Sequence, residues 1–275
     1  QTQRNNHEFF AMCLEMSREQ KMPLSHDIII ANGLAVKQIA SLNEQTDYRA
    51  KALFNTEKLW QTIMKEGSFQ SRRGQSDMMA QIEMFFDRND ENAFAIEAPA
   101  GFGKTLAYLV PAILKADPKN KVVISTSTLL LQEQLETVLL NLQKYLPFPV
   151  ASATLSSRKH LIDLSAVEKT DLSQLLGADA LVMMSVFVWL TETNTGNLSE
   201  LSTSHQMGLL LDTLAYSFEN TELNDKWRHH DYFIHHQKKA EEASVLLTNH
   251  AYLSHHFEDI KSYSPDGTLT LIVDE

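Results

Sequence analysis

Residues Ala98 to Thr105, APAGFGKT, form a run of small side chains that ends in a lysine and a threonine. Glycines let backbone N–H groups approach phosphate oxygens closely, and Gly101 and Gly103 are the candidates for this role. In such loops the lysine reaches the β- and γ-phosphates, and the next hydroxyl binds Mg²⁺. The pattern predicts a phosphate-binding loop (P-loop), although Ala98 stands where the strict motif has glycine. The alternative is a glycine-rich turn that binds no nucleotide.

Two carboxylates, Asp274 and Glu275, end the stretch LIVDE that begins at Leu271. Apolar residues in a row favour a buried strand, which would carry both carboxylates at its end. With ATP in the loop, Asp274 would orient Mg²⁺ through its water shell, and Glu275 would position or deprotonate the attacking water. The predicted catalytic residues are Lys104, Asp274 and Glu275, the predicted metal ligands are Thr105 and Asp274, and the predicted ATP-binding loop residues are Ala100, Gly101, Phe102, Gly103, Lys104 and Thr105.

Bringing these groups together requires a sheet whose strands end at one edge. From about residue 69, helical segments alternate with short β-rich runs. This alternation indicates an α/β fold with a parallel sheet and helices on both faces, in which ligands gather at the carboxyl ends of the strands. From about residue 156 to 239 the pattern is interrupted by a mostly helical insertion. The predicted strands are Ala93 to Glu97, Lys121 to Thr126, Val150 to Thr154, Ser244 to Thr248 and Thr268 to Val273.

Residues 1–68 are predicted to form packing helices with one short break. The first helical segment places apolar side chains from Phe9 to Met16 on one face. A second segment opens at a Thr56 cap and stops at Gly67. Between them, the stretch DIIIANGLAV fits either a short strand and turn or the start of a buried helix, and periodicity does not decide between the two.

Composition narrows the class of protein. The chain has 275 residues, of which 43% are hydrophobic, enough for a real core. No apolar run approaches the roughly 18 residues that span a bilayer, and no secretion signal is visible. The only cysteine, Cys13, excludes an internal disulfide and suits a reducing cytosol, so a cytoplasmic location is expected. A net charge of −11 argues against a broad nucleic-acid-binding face but leaves room for a local groove.

Other segments resemble the DinG-type and XPD-type superfamily 2 helicases. The stretch containing Arg72, Gln75 and Met78 is similar to their R-x-x-Q-x-x-M motif, whose glutamine pairs with adenine. An amide suits that role because it has both a donor and an acceptor, although a lone glutamine is more often a surface residue in a helix cap. Residues 188–201 resemble part of the family's insertion, and residues 240–253 resemble the strand and turn before the acidic motif.

The run ISTSTLLLQEQL is similar to the family's next motif, which contacts the nucleic-acid backbone through hydroxyl groups. Hydroxyls at a strand end are more often helix caps, so both interpretations stay open. Asn249 and His250 would lie at the carboxyl end of their strand, in either a structural or a functional role. The residues expected to contact nucleic acid are Ser125, Thr126, Ser127 and Thr128.

The resemblance extends from about residue 55 to 275 and implies the first RecA-like motor domain of a DinG-family DNA helicase, a P-loop NTPase. It implies ATP and Mg²⁺ as cofactors, DNA, expected to be single-stranded, as partner, and unwinding in DNA repair. In this family a second RecA-like domain supplies an arginine finger, so this chain alone should bind ATP weakly and turn it over poorly. The alternatives are a DNA-dependent ATPase that regulates a nuclease without unwinding, and a P-loop kinase or other small-molecule ATPase.

Two departures from the family pattern matter. Many relatives bind an iron–sulfur cluster through insertion cysteines, whereas here the insertion has none and Ile162 stands near the first position. The cluster is predicted absent, and adjacent histidines such as His229 and His230 point apart, which disfavours another metal. Some members carry an upstream 3′–5′ exonuclease followed by a helical connector, which residues 1–68 resemble. Residues 69–275 would then form the motor domain, expected to be cut at the acidic motif.

Overall fold

The computed structural model describes residues 27–39, 48–67, 69–88, 93–201, 205–216, 226–264 and 267–275. The chain divides into two compact units. We call Leu42–Ser156 with His236–Glu275 the sheet unit, and Gln1–Ser41 with Ser157–His235 the helical unit. Each unit is characterised below through its described residues.

The strands in chain order are β1 (Ile28–Ala31), β2 (Leu34–Lys37), β3 (Asn120–Thr126), β4 (Ser152–Thr154), β5 (Val245–Asn249) and β6 (Thr268–Asp274). The helices are α1 (Tyr48–Lys51), α2 (Thr56–Glu66), α3 (Gln75–Asp87), α4 (Lys104–Lys115), α5 (Leu129–Gln143), α6 (Leu164–Lys169), α7 (Ala178–Leu190), α8 (His205–Leu214), α9 (Tyr232–Glu242), α10 (His250–His255) and α11 (Phe257–Ser262). Short 3₁₀ turns occupy Arg158–His160, Leu172–Gln174 and Leu198–Glu200.

The sheet unit is built on a parallel sheet with the spatial order β4-β5-β3-β6. Val122 and Ile124 of β3 pack into a core with α2 to α5, while Val123 packs into a second core with α9 and α11. Because successive strand residues point to opposite faces, both faces of the sheet are covered. The predicted α/β fold with helices on both faces of a parallel sheet is confirmed.

The carboxyl ends of the central strands are level with one another. Thr126 at the end of β3 pairs in register with Asn249 of β5 and with Asp274 of β6. The predicted strands at β3, β5 and β6 agree with the structure within one residue at each end, and β4 begins two residues later than predicted. The sheet therefore brings the predicted site residues at these strand ends to one edge.

The predicted strand from Ala93 to Glu97 is wrong, because these residues have irregular backbone and pair with no strand of the described chain. Phe94 stacks on Phe85 of α3 with 5.4 Å between ring centroids, and Ile96 packs against the core. A β-rich composition favours an extended backbone but does not supply a neighbouring edge. Side-chain packing, rather than a hydrogen-bonded ladder, holds this segment before the loop.

The N-cap of helix α2 lies one residue earlier than the sequence predicted. Asn55, not Thr56, is the N-cap, and its side chain accepts a hydrogen bond from the backbone N–H of Lys58 at 2.9 Å. The predicted Thr56 cap is wrong, whereas the predicted stop at Gly67 is confirmed. Helix α2 contributes Trp60 and other residues to the sheet-unit core.

Residues 28–37, for which the sequence left two possibilities, form an antiparallel hairpin. Its turn residues Asn32 and Gly33 have φ angles of 50° and 88°, and this pair of positive values is typical of a two-residue hairpin turn. Val36 is buried with α6, α7 and α8 in the core of the helical unit. Of the described residues before position 69, 27–39 belong to the helical unit and 48–67 to the sheet unit. The connector at residues 1–68 stays a prediction. The predicted helix at residues 9–16 lies outside the described residues.

The helical unit is built around α7, which the sequence indicated as a helix. Val182, Val186 and Leu190 of α7 lie buried with Trp227 and Tyr232 in one hydrophobic core. The division between the units falls within α9, between residues 235 and 236. Within the described ranges, no helix is long and apolar enough to cross a membrane.

Candidate nucleotide-binding site

The loop before α4 has the backbone that the P-loop pattern predicts. Gly101 and Gly103 have φ angles of 77° and 90°, which side chains other than glycine rarely adopt. A Cβ atom at Gly103 would also come within 2.5 Å of Gln75 Nε2. Gly103 caps the N-terminus of α4, where unpaired N–H groups and the helix dipole favour an anion.

Arg72 and Gln75 brace this loop from the start of α3. The guanidinium of Arg72 donates to the carbonyl oxygen of Gly101, and Gln75 Nε2 donates to the carbonyl oxygen of Gly103 at 3.0 Å. Gln75 Oε1 accepts from the backbone N–H of Arg72 at 3.2 Å, and the residue is only 1% exposed. Adenine pairing by Gln75 stays a prediction. It would require the Gln75 amide to give up both of these hydrogen bonds and form new ones with the base.

Phe102 belongs to the loop through its backbone, while its ring packs into the protein. A Cβ atom added at Gly74, the N-cap of α3, would lie 2.8 Å from the Phe102 ring. The ring also packs against the main core of the sheet unit. Phe102 therefore anchors the loop, so its predicted role in binding the cofactor can involve only its main chain.

Lys104 meets the carboxylate at the end of β6. Its Nζ atom donates to Glu275 Oε1 at 2.5 Å. The hydrogen bond to Glu275 raises the pKa of Lys104, and the same bond lowers the pKa of Glu275. The predicted lysine and the predicted water-orienting carboxylate are thus both charged and face each other. A phosphate group would compete with Glu275 for the ammonium.

Asp274 is held by a residue that the sequence analysis missed. Tyr108 Oη donates to Asp274 Oδ2 at 2.8 Å. Burial raises the pKa of Tyr108 far above its ordinary value, and the nearby Asp274 raises it further. The sequence held one signal for this role, since Tyr108 follows Thr105 by three residues on a helix and so shares its face.

The hydroxyl groups at the end of β3 have different surroundings. Ser125 and Thr126 are buried, at 0% and 2% exposure, because the final residues of β3 lie between β5 and β6. This burial disfavours a contact of these two side chains with nucleic acid, which stays a prediction. Ser127 and Thr128 are exposed, and Thr128 also caps α5 by accepting from the backbone N–H of Leu131. Their nucleic-acid contacts stay a prediction.

His250 lies between the strand ends. Its Nδ1 atom is 2.7 Å from Ser125 Oγ, and its Nε2 atom is 3.1 Å from the main-chain oxygen of Glu275. Asn249 accepts from the backbone N–H of Tyr252 and donates to Gln132 Oε1 at 2.9 Å. The expected position of Asn249 and His250 at the end of β5 is confirmed, and both are hydrogen-bonded there.

The residues present fit a magnesium ion bound with a nucleotide. Thr105 and Asp274 supply a hydroxyl and a carboxylate, the hard oxygen donors that Mg²⁺ prefers, and Tyr108 on the helix of Thr105 holds the Asp274 carboxylate. Elsewhere in the part of the chain that the structure describes, His, Cys, Asp and Glu side chains form no group of three or more that could hold a metal ion. The absence of an iron–sulfur cluster stays a prediction from the sequence.

Comparison with known proteins identifies the same region. Residues 72–204, which include the P-loop, match the model of the DEAD/DEAH box helicase family. The chain is 36% identical over 210 residues to a protein named 3′-5′ exonuclease DinG from Bacillus subtilis, an alignment that covers 75% of the chain and 22% of that relative. Proteins of the same name from Staphylococcus epidermidis and Staphylococcus saprophyticus are 32% and 28% identical, over 58% and 80% of the chain.

The chain spans only a small part of these relatives, since the two staphylococcal alignments cover 18% and 24% of the relatives' own length. The part that it spans contains the P-loop, whose lysine lies within hydrogen-bonding distance of the carboxylate at the end of β6. These matches and this geometry agree with the resemblance found in the sequence motifs. The chain therefore belongs to the DEAD/DEAH box helicases of the DinG family and carries a helicase motor domain.

Proposed function

We propose that this chain is the ATP-binding part of a DNA helicase, in which ATP hydrolysis is coupled to the binding and unwinding of DNA. The observation that carries the proposal is the meeting of Lys104 with Glu275, at 2.5 Å, beside the Tyr108–Asp274 hydrogen bond. Two motifs far apart in sequence thus supply a cation, a hydroxyl and two carboxylates to one edge of the sheet. This is the set of groups that phosphoryl transfer to water requires.

Each of these residues has a defined task in the proposed reaction. Lys104 binds the β- and γ-phosphates and leaves Glu275 to do so, while the N–H groups of Ala100 to Gly103 receive phosphate oxygens. Thr105 and Asp274 hold Mg²⁺, which neutralises phosphate charge when it is bound. Glu275, released from Lys104, orients the attacking water and accepts its proton.

The chain alone should be a poor ATPase. The transition state of phosphoryl transfer needs a further cation, which helicases of this type obtain from an arginine finger on a second RecA-like domain. We propose that such a domain, and an upstream exonuclease domain, belong to the same full-length protein. Two observations support this view: the relatives are named 3′-5′ exonuclease DinG, and the Bacillus subtilis alignment covers only 22% of that relative. The single cysteine supports a cytoplasmic location.

The proposed contact with nucleic acid rests on the exposed residues that follow β3. Ser127 and Thr128 precede the N-terminus of α5, which offers backbone N–H groups as well as hydroxyls to a phosphate. Contacts of this kind do not depend on base sequence, so they suit movement along single-stranded DNA. His250 and Ser125 link this loop to the main chain of Glu275.

The test is ATP hydrolysis by the full-length protein with and without single-stranded DNA, together with displacement of a labelled strand from a partial duplex. We expect DNA to stimulate hydrolysis and ATP to drive displacement. Hydrolysis without strand displacement would leave a DNA-dependent ATPase that regulates a nuclease. Failure of DNA to stimulate hydrolysis would contradict the motor function.

A further inference from the structure

Tyr108 connects the helix that carries Thr105 to the carboxylate at the end of β6. It lies on α4 three residues after Thr105, so both side chains lie on one face of the helix. The Tyr108 hydroxyl donates to Asp274 Oδ2 at 2.8 Å. The helix face that carries the hydroxyl after the P-loop lysine is thus hydrogen-bonded to the carboxylate at the end of β6.

The surroundings of Tyr108 keep this oxygen in place. The residue is 5% exposed, and its ring belongs to the main core of the sheet unit. A buried phenol needs a hydrogen-bond partner, and here the partner is a carboxylate instead of a backbone carbonyl. The phenol is therefore held as a hydrogen-bond donor to Asp274 by packing and by this contact.

The end of β6 needs such support. Among the strands in the described ranges, β6 pairs only with β3, and Val273 is 60% exposed. The backbone ladder therefore holds β6 along one edge. The side chain of Asp274 is oriented by the contact with Tyr108, which comes from a packed helix.

We propose that Tyr108 is a positioning residue that holds the Asp274 carboxylate beside Thr105, so that the magnesium ion of Mg·ATP meets both oxygen ligands already in place. This inference rests on the proposed nucleotide site and adds a residue to it. Preorganisation of ligands by neighbouring hydrogen bonds strengthens metal binding without any direct contact between the supporting residue and the ion.

The test is Tyr108→Phe in the full-length protein, with binding of a fluorescent, non-hydrolysable ATP analogue followed by titration with Mg²⁺. The phenylalanine ring keeps the core filled and removes only the hydroxyl. We expect binding in EDTA to match the wild type and the Mg²⁺ concentration for half-maximal enhancement to rise about tenfold, as expected for loss of a hydrogen bond to a charged group. An unchanged Mg²⁺ titration would overturn the proposal.

Tyr145→Phe is the matched control, since it makes the same chemical change in the sheet unit at a ring that packs edge-on against Phe69. It should leave the Mg²⁺ titration unchanged. In an Asp274→Asn background, Tyr108→Phe should cause no further shift, because the carboxylate that it orients is gone. Additive shifts would mean that Tyr108 acts elsewhere and would also overturn the proposal.

Two further outcomes separate this inference from the proposed function and from a structural role. If the wild-type protein shows no Mg²⁺-dependent binding of the analogue, the nucleotide site itself fails. If Tyr108→Phe lowers the Tm of the nucleotide-free protein and weakens binding equally in EDTA and in Mg²⁺, the hydroxyl serves only the fold. A shift confined to the Mg²⁺ titration supports the positioning role.

Discussion

The sheet unit and the helical unit both bury polar side chains, but they use them differently. In the sheet unit, Tyr108, Gln75 and Ser125 direct their hydrogen bonds to the P-loop or to residues at the carboxyl ends of the strands. These bonds converge on one edge of a parallel sheet, where α/β proteins bind ligands. Their partners, Asp274 and His250, are themselves polar side chains at that edge.

In the helical unit, buried polar groups connect helices and loops, and their partners do not lie at the ends of parallel strands. Asp231 accepts from the Tyr216 hydroxyl and from the backbone N–H of Ile234 at the start of α9. Glu168 of α6 accepts from Trp227 Nε1 at 2.8 Å. Burial of a polar group therefore does not by itself identify a functional site. What separates the two units is where these hydrogen bonds meet: at the carboxyl ends of parallel strands in the sheet unit, and between helices and loops in the helical unit.

The largest effect on ATP hydrolysis is expected at the carboxyl edge of the parallel sheet in the sheet unit. Lys104→Ala removes the cation that faces the phosphates, and loss of one such electrostatic group typically costs about 100-fold or more in rate. We expect DNA-stimulated ATP hydrolysis by the full-length protein to fall by at least this factor. Lys144→Ala is the control, because Lys144 is exposed and its ammonium donates to the nearby Asn141. Equal activity of both variants would remove the basis of the comparison.

The helical unit should respond in stability and not in nucleotide binding. Asp231→Ala leaves the buried Tyr216 hydroxyl without its acceptor and removes a cap from α9, so we expect a loss of about 2 kcal/mol in local stability. Hydrogen exchange of helical-unit amides measures this loss, and ATP affinity should stay unchanged. Asp212→Ala, at an exposed position on α8, serves as control. A change in ATP affinity at constant stability would place chemistry in the helical unit.

A smaller effect is expected at the carboxyl end of β3, where a buried serine can be compared with an exposed one. Ser127 is exposed and Ser125 is buried against His250, so only Ser127 is available to a DNA phosphate. Ser127→Ala should weaken the affinity for single-stranded DNA about threefold, the size of one phosphate hydrogen bond. Ser125→Ala should leave this affinity within about twofold. Fluorescence anisotropy with a labelled oligonucleotide measures both, and a reversed order would contradict the assignment.

The smallest effect concerns a buried cation of the sheet unit that serves only the fold. Lys51 donates to the carbonyl oxygen of Ala116 after α4, and burial lowers its pKa from 10.5 to about 8. Between these values the unfolded chain binds more protons than the folded chain, so the free energy of unfolding rises with pH. Lys51→Met should remove this part of the rise. Tm measured across that pH window tests it.

Lys65→Met is the matched control for this measurement, because Lys65 is exposed on α2. Its Tm should keep the pH dependence of the wild type. If the slope of Tm against pH is the same for Lys51→Met as for the wild type, then the lowered pKa of Lys51 does not contribute to stability.

Much of the fold and of the site was predictable because it depends on residues close together in the chain. The P-loop glycines, the strands β3, β5 and β6, and the stop at Gly67 all follow from local sequence. The segment Ala93 to Glu97 was not predictable in this way, because a strand exists only where another edge accepts its hydrogen bonds. Periodicity left the hairpin at residues 28–37 undecided, and nothing in the local sequence indicated its place in the helical-unit core.

The sequence by itself determined which chemical groups this protein has and which of them are neighbours along the chain. The spacing of Gly101, Gly103 and Lys104 predicted the P-loop, and the apolar run before Asp274 and Glu275 predicted a strand that ends in two acids. Only the tertiary structure decided which groups meet. It placed Tyr108 on Asp274, turned Gln75 toward the P-loop, and buried Ser125 while leaving Ser127 exposed. The reason is physical, because these partnerships join residues far apart in sequence and depend on how helices and strands pack together.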